Sequence, residues 1–463
     1  MTFKRKEKGK KIKTWLIIIL CLVIVLPAAG IIIIKFEGEK PKVNLNLLST
    51  IVPANIDISG YASDEKSGVK KLWIGLLKDG KETVLFEKEY KTRGIIPKGS
   101  VHRVPFKVGI KAKKLKISDG PAKLRIAVWD HSWRDWWKGN RTYIEKEIVF
   151  DTKPPELSIL STRHNVSQGG SGLVVYMLSE PCQKSGVYIG KDFFPGYSGY
   201  FKDKDIYLAF FALGYDDNAG IDFYVKAIDP AGNTARSGFY HHVLQKKFKT
   251  DTINISDDFL NWKLPEFQAS AGWDDNLSAV DKFVFINSIL RQKNNHFILG
   301  NGKKTENRLF WEGAFGRLPN SARRAAFADH RVYKYKGNVI DKAVHMGIDL
   351  ASIKHAAVPA ANRGKVVFSG AVGIYGNMVC VDHGFGLFSI YAHLSRMMVN
   401  PGEMVVKGDI IGYTGTTGLA GGDHLHFGMF IDHVFVNPVE WWDATWIKNN
   451  ITGKIATVAS MLK

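Results

Sequence analysis

The sequence predicts a mainly β protein with an N-terminal membrane-spanning helix, two β-sandwiches, a short helical connector and a C-terminal antiparallel β domain. Three observations carry that expectation. One uncharged apolar run, residues 15–34, stands near the N-terminus. From residue 41 to about 250, short apolar-rich or alternating runs are separated by Gly, Asn, Asp and Pro turns, as strands are. Past residue 306, glycine-punctuated segments follow, and histidines crowd among them. At 463 residues the chain is long for one domain, and about three are expected. With 45% hydrophobic and 12% aromatic residues it can build real cores, which excludes a disordered chain.

The first element is a basic tail, residues 1–14, in which positions 4–13 hold seven Lys or Arg against one Glu. Residues 15–34 follow, mostly Ile, Leu and Val, and twenty helical residues at ~1.5 Å each span a hydrocarbon core of ~30 Å. The basic flank should remain cytoplasmic, which puts everything after Lys35 outside. A cleaved signal peptide is the rival, since Pro27-Ala28-Ala29-Gly30 resembles a cleavage site. The apolar run continues through Ile34, which favours an uncleaved anchor, and Leu20 before Cys21 argues against a lipoprotein signal. The formal net charge of +20 shows no dense basic run beyond the tail and no nucleic-acid motif. It points to a polyanionic surface, membrane or wall, and away from nucleic acid. Cys21, Cys182 and Cys380 offer no disulfide framework, so separate thiols are expected.

Residues 41–152 and 153–252 are expected to form the two sandwiches. VKKLWIGLLKDGKETVLFEKEY reads as a hairpin about Asp79-Gly80, and AKLRIAVWD and IDFYVKAID are further strands. The halves echo one another: each has a strand ending in Asp, an Asn-bearing turn, a last strand and then Asp-Thr. Two domains of roughly 100 residues fit this spacing. The AxDxAGN turn and the DTxPP boundary resemble bacterial immunoglobulin-like surface modules. The tryptophans of DHSWRDWW (Trp133, Trp136, Trp137) read as a sandwich edge, with a glycan-stacking platform as the alternative. Residues 253–305 change to helical spacing, with Val280, Phe283, Phe285, Ile286 and Ile289 toward one side, and are read as a helical connector.

In residues 306–448 three short motifs stand out: HMGID, YAHL and HLH. In a strand, His424 and His426 point to one face while Leu425 and Phe427 point to the other. His345 and Asp349, four apart, share a side of a strand or of a helix, and Gly347 argues against the helix. Imidazole and carboxylate are zinc ligands, and a catalytic zinc takes three protein ligands and a water. His345, Asp349 and one histidine of HLH would make that set. The other HLH histidine and His393 are then free to move protons and stabilise an oxyanion. HExxH is absent, so no helical glutamate base is available.

In order along the chain come FADHR, HMGIDL, VPAANRGKVVFSG, GIYGNMVCVDHGFGLFSIYAHL and VVKGDIIGYTGTTGLAGGDHLHFGM. Together, from WEGAF to NPVEWW, they resemble the lysostaphin/LytM-type zinc endopeptidases, which cleave peptide bonds of bacterial peptidoglycan. The resemblance implies a small antiparallel β-fold with a groove over a zinc ion. It implies that His345, Asp349 and His426 hold the metal and that His393 and His424 are catalytic. Combined with the anchor and no recognisable wall-targeting module, it suggests a single-pass protein of the bacterial cytoplasmic membrane cutting the stem-peptide cross-bridge of peptidoglycan, D-Ala to a diamino acid, with a glycine bridge as the alternative. Asp329 and His330 depart from the family pattern and leave Arg331 without an assigned role. His355, His383 and His433 are expected at the surface or behind the ligands. The alternatives are a silent wall-binding scaffold or an activator of another wall hydrolase.

Overall fold

The computed structural model describes residues 3–47, 49–92, 101–268, 272–274 and 276–463. Residues 1–2 of the expected basic tail lie outside them. Phe3–Lys35 is one α-helix, and its Lys13–Ile33 stretch is long and apolar enough to cross a membrane. The chain divides into two compact units, residues 1–154 with 230–233, and residues 155–229 with 234–463.

In the first unit a three-stranded antiparallel sheet (Lys42–Asn46, Asn55–Ser63, Arg103–Lys111) shares one core with a five-stranded sheet. The latter runs in the order Ile51–Val52, Arg141–Phe150, Gly120–Asp130, Val69–Lys78, Lys81–Glu89. Arg103–Lys111 shows why it is a strand: Val104, Phe106, Val108 and Ile110 are buried and every residue between them is exposed. The expected hairpin is present, with Asp79 and Gly80 at φ 50° and 75°, the pairing of signs that a two-residue turn between twisted strands requires. The repeated Asn also has a structural meaning. Asn140 Nδ2 donates to Glu37 O and Glu39 O, and Asn233 Nδ2 to Asp151 O and Lys153 O, so each turn fastens an incoming linker.

The second unit opens with two four-stranded antiparallel sheets built on Ser171–Leu178 paired with Ile206–Ala212, and on Lys184–Ile189 paired with Phe223–Ile228. The sequence reading sets residues 153–252 apart as a module, yet they share a continuous core with the C-terminal domain. Phe210 packs against Trp441 with ring centroids 5.9 Å apart, and Glu440 Oε2 accepts from the Ser171 amide and hydroxyl. The C-terminal sheet runs Ala322–Ala325, Ile348–Ala351, Leu425–Ile431, Leu387–Leu394, Gly376–Asp382, Gly364–Val372, Met404–Val405.

The connector is packed as well. Thr250–Ile255 pairs parallel with His330–Tyr335, and Asp257–Lys263, Ala279–Phe285 and Arg291–Gly300 are helical. A π-helical turn at Ile286–Leu290 rotates its apolar face, so Leu290 is buried where the spacing predicted Ile289, which is 45% exposed. All three cysteines are free; Cys380 is buried and Cys182 half-buried.

Candidate active site

Three neighbouring strands of the C-terminal sheet lay out the site. Asp349 stands directly opposite His426, and His426 opposite Ala392 on its other side. Leu425 and Phe427, the alternate residues, are each 2% exposed and face the core, as the HLH spacing predicted. His424 precedes the strand and forms an isolated bridge to Gly415. His393 has φ 61°, a left-handed conformation that side-chain-bearing residues adopt at a cost and that recurs at functional sites. Its ring centroid is 5.8 Å from that of His426 and 4.8 Å from that of His424.

His345 Nε2 lies 2.9 Å from Asp349 Oδ1 and 2.9 Å from His426 Nδ1, and His426 Nδ1 lies 3.0 Å from Asp349 Oδ1. His345 Nδ1 donates to Ala326 O at 2.9 Å, so Nε2 presents a lone pair. That lone pair faces a carboxylate oxygen, which also only accepts. His426 Nε2 is buried without a hydrogen-bond partner. Acceptors converging in a buried site repel unless a cation lies among them. Two nitrogens and one oxygen suit zinc, which takes such donors at about 2.0–2.2 Å. Gly347 belongs to the same design, since a Cβ there would come within 2.5 Å of His426 Nε2.

Arg331, left without a role by the sequence, donates from Nη2 to Asp349 Oδ2 at 2.8 Å. It occupies the carboxylate oxygen that faces away from the two imidazoles. Burial would raise the Asp349 carboxyl, but the imidazoles of His345, His424 and His426 around it hold it well below the usual carboxylate range. Burial, with the charges of its histidine neighbours, keeps the His393 imidazole well below its ordinary pKa.

His393 Nδ1 donates to Thr417 O at 2.9 Å and His424 Nδ1 to Gly422 O at 2.8 Å. His393 therefore carries the hydrogen on Nδ1 and a lone pair on Nε2, whereas His424 Nε2 lies 3.5 Å from Asp349 Oδ1, which favours its protonated form against the cost of burial. Thr417 is itself held by Asn377 N–H, which donates to its hydroxyl, and by the flanking contacts of Lys263 Nζ to Thr416 O and Gly418 N–H to Glu266 Oε2. The connector thus supports the loop that orients His393, and the sequence reading gave it no such part.

A cavity of about 410 Å³ opens over these groups. Arg331, Tyr333 and Tyr375 line it, together with Asn254, Phe259 and Phe283 of the connector. Tyr375 meets the His426 ring edge-on at 5.4 Å. The remaining histidines divide. His355 and His433 are exposed, beside Asp423 and Asp192 respectively. His383, expected at the surface or behind the ligands, is instead fully buried and bonded to Arg363 O and Ser389 Oγ, away from the ligands.

Residues 343–438 match Peptidase family M23. Over 96 residues the chain is 41% identical to the DD-carboxypeptidase/endopeptidase Mpg of Neisseria meningitidis serogroup B, covering 21% of this chain and 22% of that protein. Over 127 residues it is 32% identical to the peptidoglycan DD-endopeptidase ShyC of Vibrio cholerae, covering 27% and 29%. Among solved structures, the catalytic domain of lysostaphin from Staphylococcus simulans is 26% identical and covers 28% of this chain and 98% of that one, with a TM-score of 0.24. The chain spans less than a third of the length of these curated relatives. The C-terminal part of the chain is a peptidase domain of family M23, a family of zinc metallopeptidases.

Proposed function

We propose that the protein is a membrane-anchored zinc endopeptidase that cuts the peptide cross-links of peptidoglycan from the outer side of the cytoplasmic membrane. The observation that carries this reading is the meeting of converging acceptors from His345, Asp349 and His426 with two further imidazoles, His393 and His424, under one cavity. His345, Asp349 and His426 would hold a zinc ion, which when bound would supply Lewis-acid polarisation of the scissile carbonyl and activation of the attacking water. His393 and His424 work as a pair. One accepts the proton of the attacking water at Nε2, and the other, once protonated, donates a hydrogen bond to the developing oxyanion. As the C–N bond breaks, the proton passes to the leaving amine. Arg331, by its hydrogen bond to Asp349 Oδ2, keeps that carboxylate oriented as a ligand.

The substrate is the bond from D-Ala to a diamino acid, a reading supported by the similarity to a DD-carboxypeptidase/endopeptidase and a peptidoglycan DD-endopeptidase. Residues 15–34 act as an uncleaved single-pass anchor. The sheet pairs of residues 41–152 and 153–252 are immunoglobulin-like modules, the first a spacer and the second a support for the peptidase domain. The test is digestion of isolated sacculi by the full chain, followed by muropeptide mass analysis. Cross-linked dimers should fall as monomers with a new D-Ala carboxyl and a free side-chain amine rise. Unchanged cross-linking would contradict the substrate assignment.

A further inference from the structure

In the first unit, the loop of residues 131–140 is tied to the chain leaving the N-terminal helix. The Trp133 amide donates to Lys35 O at 2.7 Å, the Ser132 hydroxyl lies 3.1 and 3.0 Å from Lys35 O and Glu37 O, and Arg134 Nε donates to Phe36 O at 3.0 Å. The Trp133 ring meets Phe36 edge-on at 6.1 Å. The loop folds round the Asp130 carboxylate, which accepts from the Ser132 amide (2.9 Å) and from the Asn140 amide and side chain (2.7 and 2.8 Å).

Inside this frame Asp135, Trp136 and Trp137 have φ of 47°, 52° and 64°. Three successive left-handed residues with side chains are a conformation that chains avoid unless the surroundings impose it. Lys70 Nζ donates to Trp137 O at 2.9 Å and Lys138 O at 3.4 Å at the end of this stretch. The result is that Trp136 is 85% exposed and Trp137 62%. The loop thus shows two of the three tryptophans to the surroundings, while Trp133 is half-buried against Phe36.

Tryptophan, with an apolar ring and an N–H donor, concentrates where bilayer meets water. The loop is bonded to the last residue of the helix, and the helix still presents Ile32 and Ile33 at 50% and 74% exposure just before it ends. Arg134 and Lys138 flank the pair and suit anionic headgroups. We propose that Trp136 and Trp137 lie in the lipid headgroup layer where the helix leaves the bilayer, and so fix the first unit against the membrane surface. The proposal rests on residues 15–34 spanning the membrane.

The full chain is reconstituted into phosphatidylcholine–phosphatidylglycerol vesicles with brominated acyl chains, beside a Trp136→Ala/Trp137→Ala variant. The difference between their emission spectra isolates the pair. A blue-shifted difference spectrum that brominated lipid quenches is the expected result, with both proteins resisting an alkaline carbonate wash. Resistance to the wash with an unquenched difference spectrum would overturn the lipid contact and leave the anchor standing. Release by the wash would remove the anchor and the proposal with it. A shift produced by lipid-free glycan strands, with no quenching by lipid, would identify a sugar platform and overturn the proposal. Should the alanine pair fold poorly, Trp136→Phe/Trp137→Phe yields the same difference spectrum with the rings kept.

Discussion

Two buried histidine groups share the C-terminal sheet, and they differ in whether their lone pairs have partners. His383 lies 2.8 Å from Arg363 O through Nδ1 and 2.8 Å from the Ser389 hydroxyl through Nε2, and that hydroxyl lies 3.0 Å from that of Tyr391. Every polar atom of the ring is satisfied, and burial lowers its pKa to about 4, so it stays neutral. At His345, Asp349 and His426 the acceptors face one another and His426 Nε2 has no partner. The contrast separates a histidine that completes a core from histidines that await a cation. Residue type and burial are alike in both; the hydrogen-bond inventory tells them apart.

The strongest way to break the comparison is to truncate one member of each group. His345→Ala should remove zinc and hydrolysis together, read by metal analysis and muropeptide release. His383→Ala should keep zinc at full stoichiometry and lower stability by about 2–4 kcal/mol in denaturant titration, through a cavity and an orphaned hydroxyl. Zinc loss in the second variant, or zinc retention in the first, would erase the distinction. A smaller effect belongs to Arg331, which acts on the metal only through Asp349. Arg331→Met should weaken zinc binding about 10–100-fold in a chelator competition, as the loss of outer hydrogen bonds to ligands does.

The same contrast extends to carboxylates and supplies the smallest effect. Asp349 sits among cationic and imidazole groups, whereas Glu440 has the Ser171 amide and hydroxyl, and burial raises it to about 7. A carboxyl raised on folding binds more protons folded than unfolded between about 4.5 and 7. Stability should therefore fall as pH rises through that window and level off above it. Glu440→Gln should flatten this slope, with a difference on the order of 1–2 kcal/mol between pH 5 and 8. An unchanged slope would mean that Glu440 ionises freely.

Much of the site was legible because strand geometry is local. An HxH spacing puts two imidazoles on one face, and Gly347 between His345 and Asp349 argued against a helix; what it did not show is that Gly347 sits in a bend against the His426 ring. Spacing could not show which residue of another sheet reaches the site, so Arg331 went unassigned although it touches Asp349. The left-handed conformation of His393 within its strand depends on the sheet around it and leaves no signal in YAHL. The connector read as helical, but one π-helical turn moved its buried face by a residue. Its place as a cavity wall came from Thr250–Ile255 pairing with a strand some eighty residues ahead, a contact that no periodicity encodes. The turn echo at Asn140 and Asn233 was visible in the sequence, and its purpose as a linker clasp was not. The fusion of residues 153–252 with the peptidase core rests on single long-range partners such as Glu440 and Ser171. Tests of the site accordingly use the full chain.

The central claim is that the five residues divide into metal holders and proton handlers. It is tested most directly by measuring zinc content and cross-link hydrolysis in the same preparations of His393→Ala and His424→Ala. Both variants should keep zinc at the level of the unaltered chain and lose about 10²–10⁴-fold in hydrolysis, the range that a positioned acid–base group supplies. Hydrolysis at the unaltered rate, or zinc lost along with activity, would contradict the division.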